Sequence, residues 1–291
     1  CTNVLTSWYS YKIGPRDVFL SILPMAHTYE MSIGMLYPFA MGAKVEYLQK
    51  VPTPSILIAT LAKIRPTAML SVPLIIEKIY RSSIVPTISK SKFLSYLDKH
   101  AKGLLYTMVG MKLKKTFGGR IGFFGIGGAK LDPEVEVFLK KARFPYAIGY
   151  GLTETAPLIC SAAPRRTWPG TTGRPVKGIE VKLEDVNPQT GEGEICVKGP
   201  NVMLGYYKDY ERTESVLSQD GWFRTGDLAS VDKKGRYSIK GRLGSVIIGA
   251  SGENIYPEEI ENVINSMEGI GESLVSPFHT GTFEYFASSS T

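Results

Sequence analysis

Between Asp17 and Gly149 the chain alternates two textures: short runs rich in apolar residues, and longer segments whose apolar positions recur every three or four residues. The run Asp17 to Leu23 predicts a buried strand, and Ala43 to Leu48, Thr67 to Val72, Ile121 to Ile126 and Phe144 to Gly149 predict further strands. The periodic segments predict helices over Thr28 to Ala40, over Ser55 to Ile64, closed by Pro66, and over Asp132 to Lys141, opened by Pro133. A helical pair is expected across Pro73 to Lys115. Strand and helix in alternation argue for an α/β fold, a parallel sheet covered by helices, with ligands at the carboxyl ends of the strands. Gly127 and Thr153 fall at such ends.

After Pro164 the texture changes to short strands: Ile179 to Leu183, Glu194 to Lys198, a Trp-Phe segment at 222–223, and Arg236 to Ile239. Turn pairs such as Asn187-Pro188 and Lys234-Gly235 separate them. The expected organisation is an α/β part over 1–166, a small β-rich subdomain over 167–240, and a hinge with the start of a further lobe over 241–291. Within the last, Gly241 to Gly244 reads as the hinge and Pro257 as the start of an acid-led helix.

Composition adds that 43% hydrophobic and 21% charged residues suit a globular chain with a sizeable core. No stretch reaches the ~18 consecutive apolar residues of a membrane span, and no leader pattern opens the chain. A cytoplasmic location, peripheral at most to a membrane, is expected. Cys1, Cys160 and Cys196 are widely spaced, with no metal-binding pattern, and are expected to be reduced.

The net charge of +7 is uneven: from Lys78 to Arg120 there are ten Lys or Arg against the single acid Asp98, so the remainder is slightly acidic. No nucleic-acid-binding motif accompanies this basic stretch, and no nucleic acid is expected as a partner. Phe93, Leu97, Ala101, Leu104, Met108 and Met111 recur at steps of four and three, which predicts one apolar face of one helix flanked by lysines. The structural reading is a helix docked on the core with a cationic back. The functional one is peripheral membrane association through 78–120.

Candidate chemistry begins at Tyr150-Gly151-Leu152-Thr153-Glu154-Thr155, a glycine-bearing turn after a strand. Such a turn can bring backbone N–H groups to an anion, a Thr hydroxyl to a phosphate oxygen, and a carboxylate to Mg²⁺. Alone it is more often a solvated turn. It stands in company, however: Leu23-Pro24-Met25-Ala26-His27-Thr28-Tyr29-Glu30, Gly127-Gly128-Ala129, Trp222-Phe223-Arg224-Thr225-Gly226-Asp227-Leu228, Gly241-Arg242, and Gly252-Glu253-Asn254-Ile255-Tyr256-Pro257-Glu258-Glu259-Ile260-Glu261.

In that order the motifs resemble those of the adenylate-forming acyl-CoA synthetases, and the His27 segment resembles the long-chain fatty acid branch. The resemblance runs to about Val275. It implies the large N-terminal-type lobe of the adenylate-forming fold, with a parallel sheet covered by helices and a small β-rich subdomain. It also implies ATP and Mg²⁺, with CoA as co-substrate and a fatty acid as the acid activated. The family's upstream phosphate loop and the C-terminal lobe with its catalytic lysine have no counterpart here, and 276–291 diverges. The resemblance therefore implies the middle of a longer enzyme, unable to complete the reaction alone.

By the same resemblance Thr153 contacts the α-phosphate, Glu154 binds Mg²⁺ as the metal ligand, Tyr150 packs on the adenine, and Gly127, Gly128, Ala129 and Gly151 approach the nucleotide with their backbone. Asp227 would hold the ribose diol and Arg242 the ribose or phosphate region. Their ordinary alternatives are a turn acid after Gly226 and a surface arginine. His27 would border the acyl pocket, its alternative being a plain core or surface histidine. Gly244 occupies a hinge position where the family commonly has Asp or Lys, and glycine can absorb a large rotation.

The leading expectation is thus a ligase that converts a long-chain fatty acid to an acyl-adenylate and passes the acyl group to CoA. An adenylating domain that loads an acyl carrier protein stays open, as does a non-catalytic nucleotide- or acyl-binding fragment.

Overall fold

The structure, a computed structural model, describes residues 2–50, 52–248, 254–265, 267, 270, 272–277 and 283–288. Cys1, Gly252, Glu253 and half of the divergent tail lie outside the described residues.

A seven-stranded sheet forms the frame. Its strands are β1 (Val18–Ser21), β2 (Lys44–Tyr47), β3 (Ala68–Ser71), β4 (Phe123–Ile126), β5 (Tyr146–Gly151), β6 (Leu158–Ala162) and β7 (Arg174–Pro175), in the order β2-β1-β3-β4-β5-β6-β7. Strands β1 to β5 run parallel, and β6 and β7 close one edge antiparallel. All four residues of β3 are buried, as expected of a parallel strand covered on both faces.

The helices have sequence-encoded ends. Helix α3 (Pro54–Ile64) starts at Thr53, whose hydroxyl accepts the Ile56 amide, and stops at Arg65 in the left-handed region, just before Pro66. In α8 (Pro133–Lys141), Asp132 caps the amides of Glu134 and Val135. Acids in the first turn and lysines in the last complement the helix dipole.

One sheet face packs Leu20, Met69, Phe124 and Tyr146 against α3, α8 and the helices between β3 and β4. The other packs Phe19, Ala68 and Leu70 against Ile33. Ile33 belongs to a π-helical stretch, Glu30–Leu36, which runs into α2 (Tyr37–Ala40); the helix expected there thus begins with a wider turn. Helix α1 (Thr2–Ser10) was not anticipated from the sequence.

The expected pair over 73–115 is more broken. It comprises α4 (Pro73–Ile79), a π-helical turn (Tyr80–Ile84), α5 (Val85–Lys90), α6 (Lys92–His100) and α7 (Lys102–Thr116). The chain bends at Ala101 (φ −146°, ψ 52°), which breaks the helical phase. The single apolar face predicted from Phe93 to Met111 is therefore wrong. Phe93, Leu104 and Met111 are exposed at 57%, 52% and 63%, whereas Leu97, Leu105, Val109 and Leu113 are buried.

A second, antiparallel sheet has the order β11-β10-β9-β8, from β8 (Glu180–Glu184), β9 (Gly193–Lys198), β10 (Phe223–Val231) and β11 (Tyr237–Arg242). Its apolar side, with Ile195, Val197, Ala229 and Tyr237, joins Ile159 and Cys160 of β6 in one cluster. Cys160 and Cys196 are buried and unpaired. Between β9 and β10 lies α9 (Tyr210–Val216), which no periodicity announced. Helix α10 (Pro257–Ile264) starts at Pro257 as predicted. No helix among the described residues is long and apolar enough to cross a membrane.

Candidate active site

A cleft of about 1130 Å³ opens where the carboxyl ends of β4 and β5 face the second sheet. Gly128 and Ala129, Tyr150 and Gly151, Asp227 and Arg242 all line it, together with Lys240 and Glu258. Six of the residues singled out in the sequence are thus brought to one cavity.

Strand β10 is bent to deliver Asp227. Its pairing with β9 shifts register between Arg224 and Leu228, and Gly226 turns through φ +73°. A bulge of this kind re-aims a side chain next to a site. The turn is anchored by Thr225 Oγ1, which donates to the Ile195 carbonyl (2.9 Å), and by Glu194, which accepts the Gly226 amide (2.9 Å). Asp227 then lies opposite Arg242 across the β10–β11 ladder. Its carboxylate accepts from Tyr150 Oη at 2.6 Å through Oδ2 and from Arg242 Nε at 3.0 Å through Oδ1. Burial pushes the Asp227 pKa up, against the Tyr150 hydrogen bond and the Arg242 charge, which hold it down. The Tyr150 phenol is pushed up by burial and by the Asp227 charge, so it stays a donor.

The turn after β5 is held from three sides. Asn3 of α1 and Asn201 both donate to the Thr155 carbonyl (2.8 and 2.9 Å), and Thr155 Oγ1 donates to the Pro157 carbonyl (2.6 Å). At Gly151 any Cβ would sit 1.7 Å from the Pro157 oxygen, so only glycine fits. Thr153 is exposed on this turn. Glu154 accepts from Tyr206 Oη at 3.0 Å, and the Arg212 guanidinium covers the Tyr206 ring at 4.3 Å. Neither Thr153 nor Glu154 lines the cleft wall itself.

On the other side of β5 lies a mostly apolar cavity of about 520 Å³, walled by Tyr11, Phe19, Tyr29, Ile33, Phe123 and Ala147 among others. It shares Ile148 and Gly149 with the cleft. His27 is exposed and does not line it; His27 Nδ1 accepts the Tyr29 amide (3.2 Å), and Tyr29 stands in the wall. Gly127 packs under that ring, where a Cβ would approach it to 3.3 Å. Beside Tyr29, Glu30 is fully buried, and burial pushes its pKa up to about 7 against the opposing effect of the Ser21 hydroxyl. Arg242 ends β11, and Gly244 is exposed in the 3₁₀ turn Leu243–Ser245 that follows.

Sequence reasoning missed Tyr29, Tyr206 and the two anchoring asparagines. Tyr29 was within reach, two residues beyond His27 in the same motif. Tyr206, Asn3 and Asn201 carry no local pattern.

Residues 1–207 match the family described as AMP-binding enzyme. Long chain acyl-CoA synthetase 6, peroxisomal, of Arabidopsis thaliana is 34% identical over 94% of this chain and 42% of its own length. Long-chain-fatty-acid–CoA ligase 1 of Homo sapiens is 30% identical over 90% of this chain and 40% of its own length. The chain therefore spans less than half the length of these relatives. Among solved structures, ATP-bound MatB from Rhodopseudomonas palustris superposes with a TM-score of 0.74 at 27% identity, over 98% of this chain and 52% of that one. O-succinylbenzoate coenzyme A synthetase from Bacillus subtilis, in complex with ATP and magnesium ion, gives 0.77 at 24% identity, over 98% and 54%, and shares the fold.

Proposed function

From the premise that this chain belongs to the AMP-binding enzyme family, we propose that the full-length protein is an AMP-forming long-chain fatty acid:CoA ligase. The observation that carries the reading is the junction at Ile148 and Gly149, where the apolar cavity and the polar cleft meet. An acyl chain in the first would present its carboxylate to a nucleotide in the second. The carboxylate oxygen attacks the α-phosphorus of ATP and pyrophosphate leaves. A thiol then attacks the acyl carbon of the mixed anhydride and AMP leaves. Holding both reactants at one junction supplies the proximity such a displacement needs.

In this reading Asp227 binds the ribose diol, exchanging its bonds to Tyr150 and Arg242 for ribose hydroxyls, and Arg242 turns to the ribose or phosphate region. Tyr150 borders the adenine, and the backbone of Gly127, Gly128, Ala129 and Gly151 passes close to the nucleotide. Thr153 donates to the α-phosphate. Tyr29, with His27 outside it, bounds the acyl pocket. Gly244 serves as the hinge, and the units 1–166, 167–240 and 241–291 belong to the same proposal.

The donor set suits magnesium. Among the described residues no three His, Cys, Asp or Glu side chains converge. Mg²⁺ in nucleotide sites takes one or two carboxylates plus phosphate oxygens and waters. Glu154, half-buried and already oriented by Tyr206, is the residue that would hold it; the ion supplies charge neutralisation at the phosphates.

A contact with membranes at the cytoplasmic face is the second part of the reading. Phe93, Tyr96, Leu104 and Met111 are exposed within the basic stretch. Exposed apolar side chains among lysines suit an anionic lipid surface.

Assay of the full-length protein with ATP, CoA and fatty acids of graded length tests the ligase. The expected outcome is AMP and acyl-CoA formed together, each dependent on a long-chain acid. AMP formation with transfer only to a carrier protein would favour the carrier-loading alternative, and no acid-dependent AMP release would favour a binding fragment.

A further inference from the structure

A third cavity, of about 710 Å³, lies wholly within the helices between β2 and β4 and shares no lining residue with the other two. The floor is apolar and buried, built from Ile79, Ile84, Val109 and Leu113. The mouth is different: Ser83 and Lys112 line it and are exposed, and Thr116 lies beside them. Ser83 and Ile84 belong to the π-helical turn Tyr80–Ile84, and such widened turns are frequent at functional sites.

Among the described residues no carboxylate pairs with Lys112, and the ten-to-one excess of cations over acids in 78–120 makes the surroundings of the mouth electropositive. An apolar slot with a hydroxyl and an ammonium at its opening matches an amphiphile, a single acyl chain with an anionic head. A nucleotide or a peptide would leave the floor unmatched, and a neutral hydrocarbon would leave the mouth unmatched. We infer that the cavity between Ile79 and Thr116 binds one long-chain acyl anion at a site separate from the acyl cavity beside β5. This does not rest on the ligase reading, since the cavity contacts neither the cleft nor β5.

Photolabelling of the full-length protein with a diazirine-bearing long-chain fatty acid tests it, because adducts report position. Adducts are expected on 79–116 as well as on 29–37. Met108→Trp, which fills the cavity, should abolish the first set and spare the second. Lys112→Glu should weaken the first set about tenfold, the scale of one lost and one reversed surface charge interaction, while labelling by the corresponding fatty alcohol is unchanged. Labelling confined to 29–37 or to 146–162 would overturn the inference. So would labelling of 79–116 that both variants leave undiminished, and so would closure of the cavity by another part of the full-length chain, which would also abolish labelling there.

Discussion

Tyr150 and Asp227 belong to different sheets, 77 positions apart, and meet in a 2.6 Å hydrogen bond. The bond spans the cleft and orients a buried carboxylate whose other oxygen is held by Arg242. Hydrogen bonds to a charged group are worth about 1.5–3 kcal/mol. Asp227→Ala is therefore expected to weaken ATP binding to the full-length protein by roughly 10- to 150-fold. Calorimetric titration measures this, and unchanged affinity in a folded variant would refute the ribose assignment.

The same pair predicts a pH effect. Burial already raises the Asp227 pKa, and the Tyr150 hydrogen bond lowers it. Tyr150→Phe keeps the ring and removes the donor, so the carboxylate should protonate at higher pH. The acid limb of ATP binding is expected to move up in pH in the variant. A pH series of dissociation constants decides, with an unmoved limb contradicting the role given to Tyr150.

Glu154 and Tyr206 allow a graded test. Glu154→Gln removes the charge offered to magnesium and should raise the Mg²⁺ concentration needed for half-maximal AMP formation. Tyr206→Phe removes only the 3.0 Å hydrogen bond to Oε1 and should raise it less. Equal metal requirements in all three proteins would exclude Glu154 as the ligand.

Glu30 bears on stability. Its folded pKa of about 7 lies above the ordinary value of 4.5, so the folded state holds a proton that the unfolded state releases between those pH values. Stability should fall as pH rises from about 4.5 to 7, by on the order of 2–3 kcal/mol. Glu30→Gln mimics the protonated form: it should change little near pH 4 and stabilise at pH 8. Urea unfolding at the two pH values checks this, and a variant less stable at pH 8 would show that Glu30 has a compensating partner.

Ile33 reaches into the apolar cavity from the π-helical stretch. Ile33→Phe should raise KM for long-chain acids and spare shorter ones, with ATP affinity unchanged, because the nucleotide cleft does not include it. Parallel loss for all chain lengths would argue against an acyl pocket there.

Co-sedimentation with anionic vesicles addresses the membrane contact. Binding is expected at low salt, to be lost at high salt and in a variant with Lys99, Lys102, Lys114 and Lys115 replaced by Gln, at about 1 kcal/mol per charge. Absence of binding at low salt would leave only the structural reading of the basic helices.

The inner parallel strands could be read directly from the sequence because burial on both faces turns them into apolar runs, as at Ala68–Ser71. Helices α3 and α8 were equally legible, since Thr53-Pro54 and Asp132-Pro133 satisfy their first amides locally. The glycine turn, the Asp227 segment and Gly241-Arg242 could be singled out because each is contiguous. The helices over 73–116 could not be read as well: one bend at Ala101 shifted the phase on which a stripe depends, and Phe93, Leu104 and Met111 went to solvent. Only the tertiary structure brought Tyr150 to Asp227, Tyr206 to Glu154 and the apolar cavity to the cleft at Gly149. Those meetings depend on how the sheets pack, and packing is settled by the summed burial of distant side chains, which no local period records.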